Sequence, residues 1–219
     1  MLSDPPRPDD GSLWVKILDL SDDYSFGELF RVVRARLRYR RFDGRMSDPV
    51  TRINFERGDS VGVLLYDPQD DAVVLVRQFR YPVYASLDPA ERAGDGARQA
   101  WILEMVAGVQ DAGLTVTGVA HKELMEEAGY KVKEGLRPIT TIYPSPGGTS
   151  ERIHLFLGEV DQRRRAGEGG GVVAEGEDTQ IVVLPFHEAM AMVARGEIHD
   201  AKTIIALQHL ALLKKETPR

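Results

Sequence analysis

Phe30–Tyr39 alternates along its length, with Arg34, Arg36, Arg38 and Arg40 on one face and Ala35, Leu37 and Tyr39 on the other, which predicts a strand. Asp43-Gly44 is a turn signal, and Val50–Phe55 returns as the hairpin partner, with a shorter strand before it at Trp14–Leu18. The arginine row reads either as a phosphate-binding strip or as a solvated or subunit-facing strand face. Val61–Tyr66 and Ala72–Phe79 are almost wholly apolar around Asp67–Asp71, the pattern of central strands buried on both faces. Ser86–Arg98 is polar and Gly/Ala-rich, a loop without fixed structure of its own, and Trp101–Val106 is a short strand leading to Gly108. Further strands are predicted at Ile139–Ile142, Ile153–Val160 and Ile181–Leu184. Pro185 opens a helix to about Ala194, and Asp200 caps a last amphipathic helix, Ala201–Leu213, with Ile204, Leu207, Leu210 and Ala211 as its packing stripe. Residues 1–11, rich in Pro and Asp, read as a disordered arm, and Arg163–Glu177 is a Gly-rich charged loop, functional or disordered.

One predicted helix breaks the usual polarity rule. It runs from Thr115, a plausible N-cap, to Ala128, and Gly129 suits the left-handed position that ends it. At about 100° per residue, Glu123 and Glu127 fall within roughly 20° of the azimuth of Val116, on the stripe that Ala120 continues and that should face the core. Acids four apart repel even on an exposed helix, by about 0.2–0.5 kcal/mol, and burial raises that cost. A hard divalent cation removes it, because Mg²⁺ and Ca²⁺ take oxygen ligands. Gly118 costs about 1 kcal/mol against Ala, so the first turns are expected to be soft.

Composition narrows the field. At 219 residues, 42% hydrophobic and 28% charged, the chain has ordinary globular makeup. A net charge of −6 argues against general nucleic-acid binding, and the absence of cysteine excludes disulfides and thiolate metal sites. No apolar run approaches the length of a membrane span and the N-terminus lacks a signal-peptide pattern, so a cytoplasmic protein is expected. No pair of histidines has metal-ligand spacing, Ser145 has no base partner, and Gly169-Gly170-Gly171 is followed by no Lys-Ser or Lys-Thr of a phosphate loop.

The segment from Gly108 to Tyr130 resembles the Nudix box: Gly, five residues, Glu, seven residues, Arg-Glu, an apolar residue, one residue, Glu-Glu, one residue, Gly, an apolar residue. Gly108, Glu123, Leu124, Glu126, Glu127, Gly129 and Tyr130 match at that spacing, while Leu114 stands at the early Glu and Lys122 at the Arg. Those two positions brace the loop in the family, and losing both sides of a charge pair strands no lone charge. Val76–Arg80, Leu103–Gly108, Ser145–Gly148, Glu151–Leu157 and Gly196–Thr203 resemble the ADP-ribose pyrophosphatase branch, in the same order.

The resemblance implies an α+β protein with the Nudix fold, an α/β/α sandwich around a mixed β-sheet plus an N-terminal β-hairpin subdomain. Residues 12–57 would then be a dimerisation region and 58–215 the hydrolase domain. It implies metal ligation by Glu123, Glu126, Glu127 and the backbone carbonyl of Ala107, with Glu177 as an extra ligand, and Mg²⁺ as the cation with Mn²⁺ as the alternative. Catalysis would rest on Glu127 and on Glu175 as general base; Arg80 would meet the diphosphate and Glu104 the base or sugar. On their residues alone, Arg80 also reads as a strand-end cap and Glu104 as a strand-end salt bridge. The implied reaction is hydrolysis of a nucleoside diphosphate sugar, ADP-ribose to AMP and ribose 5-phosphate, by a homodimer. Ser-Pro-Gly-Gly together with the triple glycine resembles GDP-mannose pyrophosphatases as well, and Leu114 with Gly118 leaves room for a non-catalytic nucleotide-sugar sensor.

Overall fold

The computed structural model describes residues 13–27, 29–110 and 113–216, the side chain of Glu175 excepted. The arm predicted at 1–11 lies outside them. Two compact units divide the chain, one ending at Gly58 and taking in Ser145–Glu151, the other formed by Asp59–Pro144 with the chain from Arg152 onward.

The first unit is a three-stranded antiparallel sheet of β1 (Val15–Phe26), β2 (Phe30–Tyr39) and β3 (Val50–Glu56), in that order. β1 runs well past the predicted Leu18. Its register against β2 shifts between Ile17 and Asp19 and again between Asp22 and Tyr24, and each shift resets the alternation that would have marked the strand in sequence. Three of the four arginines in the row bond within their own unit. Arg34 Nε donates to Asp23 at 2.9 Å, Arg38 Nε to the Ser47 carbonyl at 2.6 Å and Arg40 Nη1 to the Gly44 carbonyl at 2.6 Å. Ser145–Glu151 joins this unit through the Phe55 amide, which donates to the Gly148 carbonyl at 2.8 Å, and the Thr149 hydroxyl, which donates to the Phe55 carbonyl at 2.8 Å.

In the second unit, β4 (Ser60–Asp67) and β5 (Ala72–Phe79) are the buried central strands the apolar runs predicted. They pair only near their turn, over Leu65–Asp67 and Ala72–Val74, and then part. The chain predicted as one strand at Trp101–Val106 fills the gap as two: β6 (Trp101–Glu104) on β5 and β7 (Val106–Val109) on β4. Met105, fully buried, is the point of the switch. β8 (Arg137–Ile142), β9 (Ile153–Glu159) and β10 (Thr179–Pro185) complete a sheet of order β10-β5-β4-β9-β8. The β4–β9 pair is parallel and the others antiparallel, so the sheet is mixed.

The polar stretch after β5 is ordered, against expectation. It forms α1 (Tyr81–Ser86), α2 (Pro89–Ala93) and a 3₁₀ turn over Asp95–Ala100. Asp88 and Glu91 make a reciprocal capping box at the start of α2, so local hydrogen bonds supply the order that apolar residues do not. The acidic helix α3 (Val116–Glu123) starts where expected, with the Thr115 hydroxyl accepting from the Gly118 amide at 3.1 Å. It then widens into a π turn over Leu124–Ala128 and ends at Gly129, φ 70°. The last helices are α4 (Phe186–Ala194) and α5 (Ala201–Glu216).

Apolar residues sort onto the two sheet faces. Val61, Val63 and Leu65 pack with Val119, Ala120 and Leu124 of α3. On the other face Leu64, Leu75 and Leu155 pack with Phe186 of α4 and Ala206, Leu207 and Leu210 of α5. The result is the three-layer α/β/α arrangement. Among the described residues, no helix is long and apolar enough to cross a membrane.

Candidate active site

β7 and α3 meet face to face at Gly108. A Cβ there would lie 2.1 Å from Glu123 Cδ, so only glycine lets the helix carboxylate come this close to the strand. Glu123 is 8% exposed and Glu127 2%. The Ala107 amide donates to Glu127 Oε2 at 3.1 Å, tying the second acid to the residue before Gly108. Burial pushes the Glu127 carboxyl up to about 8; the Ala107 amide pulls it down, the Glu123 charge raises it, Arg80 lowers it and Glu177 raises it. Glu123, Arg80 and Glu177 therefore all act electrostatically on Glu127.

Glu126 stands apart. Its side chain is about one-third exposed and lies 3.7 Å from Lys122 Nζ, a pair along the helix. At about 100° per residue Glu126 falls roughly 80° from the azimuth of Val116, off the stripe that carries Glu123 and Glu127. Among the described residues, no three His, Asp or Glu side chains are grouped closely enough to hold a metal ion. The donor set still suits a hard cation: two buried carboxylates one turn apart on a helix that faces the β7 backbone, oxygen donors only, and a mutual repulsion that a divalent ion would relieve.

The Gly-rich loop predicted as functional or disordered is fastened to the end of the π turn. The Gly170 amide donates to the Glu127 carbonyl at 2.9 Å, that of Gly171 to the Glu126 carbonyl at 2.9 Å, and those of Ala166 and Gly167 to the Gly129 carbonyl at 2.7 and 3.0 Å. Gly169, φ 65°, passes so close that a Cβ would sit 2.7 Å from the Ala128 carbonyl carbon. These bonds satisfy carbonyls that a helix end leaves without partners. Farther along, Glu177 Oε2 accepts from the Val172 amide at 3.0 Å. Glu175 closes the 3₁₀ turn Val173–Glu175, but its side chain lies outside the described residues.

Arg80 is the N-cap residue of α1 and donates through Nε to Glu104 Oε2 at 2.6 Å. Glu104 is 3% exposed, and its other oxygen takes Lys202 Nζ at 2.5 Å. Sequence reasoning missed Lys202, although a signal was present. It sits two residues after the helix-capping Asp200, in a first turn where the helix dipole disfavours a cation, so a tertiary partner was to be expected.

A family model described as the NUDIX domain matches residues 56–207. The ADP-ribose pyrophosphatase of Escherichia coli strain K12 is 41% identical over 177 residues, covering 81% of this chain and 79% of that protein. The GDP-mannose pyrophosphatase of Cronobacter sakazakii is 40% identical over 158 residues, covering 72% and 76%. A crystal structure described as an ADP compounds hydrolase superposes with a TM-score of 0.67 at 17% identity, over 93% of this chain and 96% of that one, which shows a shared fold. With the family model spanning most of the chain and relatives at 40 and 41% identity, this protein belongs to the NUDIX family.

Proposed function

We propose that the protein hydrolyses the pyrophosphate bond of a nucleoside diphosphate sugar, with ADP-ribose as the preferred substrate and AMP and ribose 5-phosphate as products. The observation that carries this reading is the pair of buried acids, Glu123 and Glu127, packed against Gly108 in a chain 41% identical to an ADP-ribose pyrophosphatase. Glu123 and Glu127 with the Ala107 carbonyl would hold Mg²⁺, or Mn²⁺ in its place, and Glu126 and Glu177 would have to turn from Lys122 and Val172 to complete the set. The cation, when bound, supplies charge neutralisation of the diphosphate and a more acidic water.

The protein's own groups do the rest. Arg80 offers a guanidinium fork to the diphosphate oxygens. Glu104, whose two oxygens are taken by Arg80 and Lys202, orients that fork, and its part in binding the substrate would run through Arg80. Glu175 accepts the proton of the attacking water as the new P–O bond forms and the bridging P–O bond breaks. Glu127 serves both as ligand and as the acid whose charge sets the field there. We further propose a homodimer formed through the three-stranded sheet, where Val15, Ile17, Leu20, Tyr24, Phe26 and Ile53 are exposed apolar side chains. A cytoplasmic location accords with substrates of this class.

GDP-mannose is the second reading, favoured by the 40% identical GDP-mannose pyrophosphatase. Phosphatase-coupled phosphate release from ADP-ribose, GDP-mannose, ADP-glucose and NADH, with Mg²⁺ and with EDTA, tests both. Turnover that needs Mg²⁺ and is fastest on ADP-ribose is expected. A faster rate on GDP-mannose replaces the substrate, and no turnover on any of the four, despite binding, replaces hydrolysis with sensing.

A further inference from the structure

α5 enters the fold with a row of alternating charge. Asp200 caps the helix, its Oδ2 accepting from the Thr203 amide at 3.0 Å and the Thr203 hydroxyl at 2.5 Å. Lys202 follows, 9% exposed, and donates to Asp200 Oδ1 at 2.9 Å and to Glu104 Oε1 at 2.5 Å. Glu104 then takes Arg80 Nε on its remaining oxygen at 2.6 Å. The same turn pins the strand switch, because the Met105 amide, between β6 and β7, donates to the Thr203 hydroxyl oxygen at 2.7 Å.

The row opens toward water at one end. Side-chain exposure is 14% at Asp200, 10% at Lys202 and 4% at Glu104, and rises to 38% at Arg80. Glu104 is too buried for water to solvate its charge, so it depends on the two cations. An arginine at a strand end has many rotamers, and a carboxylate gripping Nε selects among them. The two terminal nitrogens of Arg80 make no hydrogen bond among the described residues, and a fork so oriented suits a pair of phosphate oxygens.

We infer that Lys202 is a positioning residue for the hydrolysis: through Glu104 it fixes the Arg80 guanidinium that receives the diphosphate. This rests on the reading of Arg80 as the diphosphate-binding cation. Lys202 itself touches no substrate and acts from the far side of Glu104.

Steady-state kinetics on ADP-ribose, or on GDP-mannose if that is faster, test this with Lys202→Met, Arg80→Ala and the double variant in Mg²⁺. Lys202→Met should raise KM about tenfold, the effect of one misaligned charge-assisted contact, with a smaller change in kcat. Added to Arg80→Ala, it should cost nothing further, a result that a general structural defect would not give. If Lys202→Met does not fold, Lys202→Gln, which keeps a donor and loses the charge, carries the same cycle. A wild-type KM in the Lys202 variant, or an equal fold-loss on both backgrounds, would overturn the inference. Wild-type kinetics for Arg80→Ala alone would overturn the Arg80 reading, and this inference with it.

Discussion

Glu127 is a carboxylate that its surroundings make hard to ionise, and this has a measurable consequence before any substrate is added. Burial is the largest cause of its rise from 4.5 to about 8, with the Glu123 charge adding to it and the Ala107 amide opposing. Between those two values the folded protein holds a proton that the unfolded chain has released. Metal-free stability should therefore fall as pH rises from about 4.5 to about 8 and level off above, by an amount on the order of a few kcal/mol. Glu127→Gln has no proton to lose and should lack that slope. Mg²⁺ should flatten it in the wild type by compensating the charge. Thermal unfolding of both proteins across that range decides the matter, and parallel curves would mean that Glu127 is not the strained acid described here.

At the level of elements, the site depends on an irregularity. The π turn at Leu124–Ala128 presents the Glu126 and Glu127 carbonyls to the amides of Gly171 and Gly170, so the loop bearing Glu175 and Glu177 is anchored to the helix bearing the other acids. Gly169→Ala should loosen this anchor, because its φ of 65° disfavours a Cβ and the 2.7 Å approach to Ala128 leaves no room for one. About 1–3 kcal/mol of stability and at least tenfold in kcat are expected to be lost, read by unfolding and by turnover. An alanine variant with wild-type kcat would show that the anchor does not matter to the acids. The anchor was illegible in the sequence, since it is made of backbone groups far apart in the chain. Signals that act within a few residues were legible: Thr115 and Asp200 as caps, Gly129 as the left-handed terminus, and the apolar runs of β4 and β5. The Asp88–Glu91 capping box was equally local and was overlooked because the stretch around it is polar. The switch at Met105 and the register shifts of β1 depend on partner strands, so no pattern along the chain announces them.

For the molecule as a whole, the acids at Glu123 and Glu127 were readable from helical spacing, whereas the Lys202–Glu104–Arg80 row joins residues from three distant segments and became visible only in the fold. β1 leaves most of its side chains exposed, an unusual state for a strand with this many apolar residues, and a second copy is the partner proposed for it. Sedimentation should show a dimer for the full chain and a monomer, without activity, for a chain lacking residues 1–57. A fully active monomer would sink the dimer proposal. The central claim, that the buried acids run metal-dependent hydrolysis, is tested most directly by Glu127→Gln. Binding of ADP-ribose is measured by calorimetry, and turnover with Mg²⁺ by the coupled assay, each against the wild type. The account predicts affinity within a few-fold of wild type and turnover reduced by about a thousandfold or more, the scale expected when a group stabilising developing charge is lost. Full turnover by the variant would contradict it.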